Sequence, residues 1–314
     1  MGEIGDVGQL TRRLFGSGTL FGMRRALLLG FLLPLLLSAQ KIFPPLRIAG
    51  NLYYVGDNDL ASYLVVTPKG DILINTGFEY SVPEIQSRLK TLGFHLKDIK
   101  ILLVTHAHSD HAAGEARMKK LTGAKMFAMQ EEVDLLQTGG KTDYLFGSSG
   151  WFPPVKVDRA LHDGEKIELG GFAITAYHHP GHTKGSASYA MEIADAGRTY
   201  RVLIANLGNI NEGTALLHNP KYPKIAQDYA RTFQAQKELP CDIFLTSHAG
   251  QFGLLAKWRP GDAYDPDRFV DPAGYVRAVE RSEVRYLRQL QEERDEEQAW
   301  KDHLKFKDVT PQKF

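Results

Sequence analysis

The sequence predicts an α/β fold in which strands and helices alternate in two similar runs, one before and one after a central loop. Short β-branched segments bounded by turn residues indicate the strands, and apolar residues at helical spacing indicate the helices. Histidine and aspartate side chains cluster where a buried strand ends and a helix begins, the usual place for a site in an α/β protein. A length of 314 residues, 43% of them hydrophobic, is enough for one large domain or two small ones.

The first run begins with a meander of three strands, which we place at residues 48–56, 61–67 and 71–75. Val82, Ile85 and Leu89 then lie at helical spacing and predict a helix over 82–92, with Ser81 as its cap and Gly93 at its end. The elements that follow are a buried strand at 99–104, a helix ending at residue 121, a strand at 125–129 and a short acidic helix at 130–136.

A long glycine-rich loop at 138–154 joins the two runs, and loops of this length are often functional. Its aromatic residues Phe146 and Trp151 either contact a ligand or hold the loop in place. The second run has strands at 157–161, 186–192, 199–205 and 243–246, a hairpin at 165–176, and helices at 228–238 and 275–297. The last helix is predicted to bury Val276, Val279, Tyr286, Leu287 and Leu290.

Residues 1–40 are predicted to be an N-terminal extension and a secretory signal peptide, separate from a single domain over 41–314 that ends in a charged tail. Arg24 and Arg25 precede a short apolar segment at 26–37, and small residues follow it. We expect cleavage near Ala39 or Gln40 and a periplasmic or secreted protein without stable membrane association. An uncleaved anchor is the alternative, although the apolar segment is short for a transmembrane helix.

The charge balance restricts the expected partners. With 38 basic and 37 acidic side chains the net charge is +1, which favours neither nucleic acid nor an anionic membrane surface as a partner. The only cysteine, Cys241, excludes an intramolecular disulfide and is predicted to be a core residue. The sequence leaves the oligomeric state open.

The histidine and aspartate cluster lies at residues 106–111, directly after the predicted buried strand. In extended backbone, residues two apart point the same way, so His106 and His108 can reach one metal ion. Asp110 and His111 lie past the bend and can face a second ion. Neutral imidazoles and a carboxylate suit zinc, and paired ions about 3.5–4 Å apart are common in hydrolases.

Two ions need further ligands from elsewhere in the chain. His182 lies in a turn between two predicted strands and His248 follows the last one, so both occupy strand ends as the first cluster does. His178 and His179 precede a Pro-Gly turn and are predicted to support the site or the fold instead. The remaining histidines lie in polar segments and are predicted to be surface residues: His95, His162, His218 and His303.

The segments HisAlaHisSerAspHis at 106–111 and ProGlyHisThr at 180–183, together with the late strand-end His248, resemble the metallo-β-lactamase superfamily. Subclass B3 is the most similar branch, on the segments at 135–143, 163–171, 180–186, 219–223, 228–233 and 239–248. This resemblance covers about residues 46–290. It implies an αββα sandwich, with two mixed β-sheets and helices on the outer faces. It also implies two Zn²⁺ ions, the first held by His106, His108 and His182 and the second by Asp110, His111 and His248.

Two departures from the family's pattern lead to specific expectations. Asn75 stands where the superfamily usually has an aspartate that supports the metal loop, so looser ligand orientation is expected. Gly208 and Ile210 stand where B3 enzymes often carry serines that contact the substrate carboxylate. Carboxylate binding should then be weak and a Gly208→Ser, Ile210→Ser variant should lower KM, unless Asn209 or Asn211 donates instead.

The resemblance implies a hydrolase that opens the β-lactam ring of penicillins, cephalosporins or carbapenems by attack of a zinc-bound hydroxide, with Asp110 orienting the water. The segment at 204–213 lacks the bridging aspartate of glyoxalase II and lactonase-type relatives, which favours the lactamase branch. Two alternatives remain open. One is a promiscuous dizinc hydrolase of lactones, thioesters or phosphodiesters, and the other is a zinc-binding protein without catalytic activity.

Overall fold

A computed structural model describes residues 43–307. The predicted extension and signal peptide at 1–40 lie outside the described residues. Residues 43–307 belong to one compact unit. Between residues 43 and 307, no helix is both long enough and apolar enough to cross a membrane.

The larger sheet has seven strands in the same order as in the chain. The first four pair antiparallel, because connections of at most eight residues join them, and the last four pair parallel through helical crossovers. Its strands are β1 (Leu46–Ala49), β2 (Leu52–Tyr54), β3 (Tyr63–Thr67), β4 (Gly70–Ile74), β5 (Ile99–Leu103), β6 (Lys125–Met129) and β7 (Arg159–Leu161).

The smaller sheet has five strands in the order β12-β11-β10-β9-β8. Only the pair β11 and β12 is parallel, and the other three pairs are antiparallel. Its strands are β8 (Glu165–Leu169), β9 (Phe172–His178), β10 (Ala187–Asp195), β11 (Arg198–Ala205) and β12 (Ile243–Thr246).

Seven α-helices accompany the sheets: α1 (Ser81–Thr91), α2 (Ser109–Ala112), α3 (Glu115–Thr122), α4 (Val133–Thr138), α5 (Ile225–Glu238), α6 (Leu254–Lys257) and α7 (Pro272–Lys307), all within the described residues. Short 3₁₀ turns lie at Leu96–Asp98, Gln130–Glu132, Gly147–Gly150, Ala249–Phe252 and Pro266–Phe269.

Alternate residues of the central strands enter two different cores. On β5, Ile101 and Leu103 face the core shared with the smaller sheet, whereas Ile99 and Leu102 pack under helices of the larger sheet. Helices α1, α3 and α4 contribute to the latter core, and α5 and α7 pack against the smaller sheet. Two mixed sheets between layers of helices form the αββα sandwich that the resemblance implies, so the predicted fold class is confirmed.

Three local predictions are wrong. Ser81 is the first residue of α1 and not its cap, and its hydroxyl has no hydrogen-bond partner among the described residues. The single strand predicted over 48–56 is two strands, because Gly50 adopts a left-handed φ of 46° and turns the chain between β1 and β2. The predicted buried positions Val276 and Leu287 are 46% and 53% exposed. The face of α7 that contacts α5 and β12 instead centres on Val279, Tyr286 and Leu290.

Candidate metal centre

The first group of side chains that could hold a metal ion consists of His106, His108 and His182. Potential ligand atoms of the three residues all lie within 4.8 Å of one another. His106 and His108 follow the carboxyl end of β5, and His182 lies in the loop between β9 and β10. The chain separates His182 from the others by more than seventy residues, and the packing of one sheet on the other brings them together.

The second group lies beside the first and contains Asp110, His111 and His248. Asp110 Oδ2 lies 3.1 Å from His111 Nε2 and 3.5 Å from His248 Nε2. His106, Asp110 and His111 also offer ligand atoms within 4.8 Å of one another, so the two groups are adjacent. His248 lies just after the end of β12, and sites in α/β proteins commonly lie at such strand ends, so the sequence could predict it as a ligand.

Hydrogen bonds at the rear of the rings determine which nitrogen is available to a metal. His182 Nδ1 lies 2.7 Å from the carbonyl oxygen of Asn209, which only accepts, so Nδ1 carries the proton and Nε2 keeps its lone pair. His248 Nδ1 lies 3.3 Å from Asp59 Oδ1, which likewise leaves Nε2 to face Asp110. Partners of this kind orient imidazole ligands and increase their basicity.

Asp143 belongs to the site, although its sequence context predicted no role for it. Its Oδ2 lies 3.4 Å from His108 Nε2, and its Oδ1 accepts hydrogen bonds from the backbone N–H groups of Leu145 and Phe146. A proton on His108 Nε2 facing this carboxylate leaves Nδ1 as the ligand atom. The only sequence signal was the position of Asp143 in one of the B3-like segments.

Buried nitrogen atoms without partners test whether this donor set fits a metal. His111 is fully buried, and neither of its ring nitrogens has a hydrogen-bond partner among the described residues. A buried polar atom without a partner costs free energy, and a metal ion at Nε2 would remove one such cost. Five imidazoles and one carboxylate are the ligand types that zinc prefers, so the residues fit zinc.

The electrostatic environment favours the metal-binding protonation states of His106, His182 and Asp110. Burial and the neighbouring imidazoles lower the pKa of His182 to about 3, and they also lower the pKa of His106 well below its usual value. Burial opposes ionisation of Asp110, but the adjacent His111 ring and the surrounding histidines outweigh it and lower the pKa of this carboxyl. Neutral imidazoles and an ionised carboxylate need no deprotonation at pH 7 to bind a cation.

Asn75 supports the metal loop through hydrogen bonds, and looser ligand orientation stays a prediction. Its side-chain oxygen accepts hydrogen bonds from Thr105 N at 2.9 Å and Thr105 Oγ1 at 3.2 Å. Asn75 is fully buried with a φ of 62°, a conformation that asparagine tolerates better than most residues. Thr105 also contacts Ser247 Oγ at 2.8 Å, and its carbonyl accepts from Ala187 N, so this residue connects the loops that carry His106, His182 and His248.

A cavity of about 360 Å³ opens over both groups of ligands. Of the predicted substrate-binding residues, Phe146 and Asn211 line it, and the Phe146 ring lies 5.0 Å from His108. Ser109 and Ser149 also line it. Trp151 lies outside this lining, is 55% exposed and has the Lys141 ammonium 5.1 Å from its ring.

The remaining predicted substrate contacts, Gly208, Asn209 and Ile210, do not line the cavity. Gly208 packs against Phe233, and Ile210 packs against the core between the sheets. The Asn209 side-chain oxygen accepts a hydrogen bond from Ser282 of α7 at 3.3 Å. Asn209 therefore acts on the site through its carbonyl, and contact of these three residues with substrate stays a prediction.

The other histidines lie outside both groups. His178 Nε2 lies 2.8 Å from the carbonyl of Lys184, and the buried His179 has Nδ1 2.7 Å from Ser188 Oγ. The four predicted surface histidines are exposed: His95, His162, His218 and His303. The structure thus brings together the six predicted ligands and separates them from the other histidines.

Comparisons with known proteins agree with this geometry. Residues 56–248 match the sequence profile of the Metallo-beta-lactamase superfamily. The chain is similar to metallo-beta-lactamase GOB-18 from Elizabethkingia meningoseptica, at 47% identity and a TM-score of 0.78 over 80% of this chain and 94% of that one. It is also similar to the class B3 di-zinc metallo-beta-lactamase LRA-12 from an Alaskan soil metagenome, at 45% identity and a TM-score of 0.78 over 80% of this chain and 95% of that one.

A weaker similarity connects the chain to hydroxyacylglutathione hydrolase of Pseudomonas aeruginosa, at 32% identity over 123 residues. That match spans 38% of this chain and only 39% of the relative, about two-fifths of its length. The profile match and the long alignments to solved structures are much more extensive. On these grounds the chain belongs to the metallo-β-lactamase superfamily.

Proposed function

We propose that the protein is a dizinc hydrolase that opens the β-lactam ring of penicillins, cephalosporins or carbapenems. One observation carries the proposal: six metal-binding side chains converge in two adjacent groups beneath an open cavity. The 45–47% identity to solved metallo-β-lactamases over nearly their whole length supports a β-lactam as the substrate. An exported location is part of the proposal and rests on the predicted signal peptide.

In this proposal His106, His108 and His182 hold the first ion, and Asp110, His111 and His248 hold the second. When bound, zinc lowers the pKa of a coordinated water from about 16 to about 7 and polarises a carbonyl oxygen. Asp110 and the imidazoles would hold the two ions in fixed positions. The Asn209 carbonyl orients the His182 ring, and the Asp59 carboxylate orients the His248 ring. The Asp110 carboxylate would also orient the attacking water.

The cavity walls bind and orient the substrate. The exposed face of Phe146 provides apolar contact beside His108, and the Asn211 amide is a hydrogen-bond donor at the same surface. No covalent acyl-enzyme is required. Ser149 donates its hydroxyl to the carbonyl of Phe146, and burial raises the pKa of the Cys241 thiol to about 12, so neither side chain is an activated nucleophile.

Assays of the purified chain against a penicillin, a cephalosporin, a carbapenem, an acyl-homoserine lactone and hydroxyacylglutathione test the proposal. We expect about two zinc ions per chain, β-lactam hydrolysis that chelators abolish, and recovery on zinc addition. Hydrolysis of the lactone or the thioester at a higher kcat/KM than every β-lactam would contradict the substrate class. One ion or none in fully active protein would contradict the dinuclear site.

A further inference from the structure

Glu132 lies between the two loops that carry the first group of ligands. It ends the 3₁₀ turn after β6, and only 1% of its surface is exposed. Oε1 accepts hydrogen bonds from Ala107 N at 2.5 Å and Thr183 Oγ1 at 2.8 Å, and Oε2 accepts one from Gly185 N at 2.9 Å. One carboxylate therefore connects the loop after β5 with the loop between β9 and β10.

The donors to Glu132 are the immediate neighbours of the ligands. Ala107 lies between His106 and His108, and Thr183 follows His182. Displacement of either loop relative to the other changes the distance between His182 and the other two imidazoles. The carboxylate thus lies where it can determine that distance without contacting a metal ion.

Close packing indicates that this bridge is built into the fold. A Cβ atom on Gly185 would lie 2.4 Å from the backbone nitrogen of Glu132 and 2.7 Å from its Oε2, so only glycine permits this approach. Burial raises the pKa of Glu132, whereas its three hydrogen bonds oppose that shift. A buried carboxyl group is retained at low cost only where donors satisfy its oxygens, as they do here.

We propose that Glu132 is a positioning residue for the first metal site. Its carboxylate holds the Ala107 and Thr183–Gly185 segments together, so that His106, His108 and His182 are arranged before the ion binds. The inference rests on the proposed assignment of zinc to this group and is independent of which substrate is hydrolysed.

Glu132→Gln tests the role, because it retains the size of the side chain but replaces one acceptor oxygen with a donor. Glu131→Gln is the matched control, because the side chain of this neighbouring glutamate is 47% exposed. Within residues 43–307, Glu131 forms no hydrogen bond with Ala107 or Gly185. Zinc affinity is measured by competition with a chromophoric chelator, and ligand geometry by the visible spectrum of the cobalt-substituted protein. We expect Glu132→Gln to bind one of two ions roughly 10–100-fold more weakly, with an altered cobalt spectrum, and Glu131→Gln to match the wild type.

Thermal unfolding of the metal-free protein separates positioning from a purely structural role. A Glu132→Gln variant that loses stability but retains wild-type zinc affinity and cobalt spectrum would overturn the inference. Absence of β-lactam hydrolysis in the wild type would refute the proposed substrate and leave the zinc measurements decisive for Glu132.

Substitutions at Thr183 keep the test valid if Glu132→Gln does not fold. Thr183→Val removes the hydroxyl that donates to Oε1, and Thr183→Ser retains it. We expect weaker zinc binding in Thr183→Val and recovery in Thr183→Ser. Equal zinc affinity in the two variants, together with an unchanged cobalt spectrum, would overturn the inference.

Discussion

Gly208→Ala tests whether this glycine is required for packing. A Cβ atom at residue 208 would lie 2.7 Å from Phe233 Cε1 and 2.8 Å from its Cζ. Phe233 is fully buried, with ring centroids 6.1 Å from Tyr229 and 5.5 Å from Tyr286, so it cannot move without displacing its neighbours. Overpacking of a core costs about 1–3 kcal/mol, and this rigid surrounding places Gly208→Ala near the upper limit. The melting temperature should fall by roughly 4–12 °C.

Thermal unfolding followed by circular dichroism measures the effect, with Gly250→Ala as the control. Gly250 is exposed, and a Cβ atom there would have no neighbour within 4 Å, so its melting temperature should hardly change. Gly208→Ser carries the same Cβ atom and should be destabilised likewise, without the lower KM for penicillins that the family comparison suggests. A Gly208→Ser variant as stable as Gly250→Ala, with tighter penicillin binding, would refute this reasoning.

Three further predictions concern the metal centre and its surroundings. His248→Ala should lower activity roughly 100-fold or more and lose one zinc ion, whereas His178→Ala should retain both activity and zinc. Similar losses of activity and zinc in the two variants would show that His248 is wrongly assigned as a ligand. Asn75→Ala leaves the buried Thr105 N–H without its acceptor and should lower the free energy of unfolding by about 1–3 kcal/mol, measured by urea denaturation. Burial lowers the pKa of His179 from 6.5 to about 4, so the unfolded chain binds this proton first as the pH falls. The stability that neutral His179 provides is therefore complete above pH 6.5 and is lost towards pH 4. Between pH 6.5 and pH 4, the free energy of unfolding of His179→Gln should fall by up to about 3 kcal/mol less than that of the wild type. Equal falls in the two proteins would contradict the lowered pKa of His179.

The sequence by itself determined the features that depend on local backbone geometry. The extended chain after β5 places His106 and His108 on one side, and the bend that follows separates Asp110 and His111 from them. His182 and His248 could be selected because strand ends of an α/β fold face a common site. A short run of β-branched and apolar residues similarly predicted the buried strand at 99–104, which the structure contains as β5 with both faces covered.

Tertiary structure alone decided which groups stand behind those ligands. Glu132 and Asp143 are ordinary polar residues in the sequence, and only the packing of distant loops turns one towards Ala107 and the other towards His108. The exposed side of α7 and the contact between Gly208 and Phe233 also depend on neighbours far away in the chain. The periodicity of residues specifies which way each side chain points from its local backbone. The partner that a side chain contacts, and the distance to it, are determined only when the two sheets and their helices pack together.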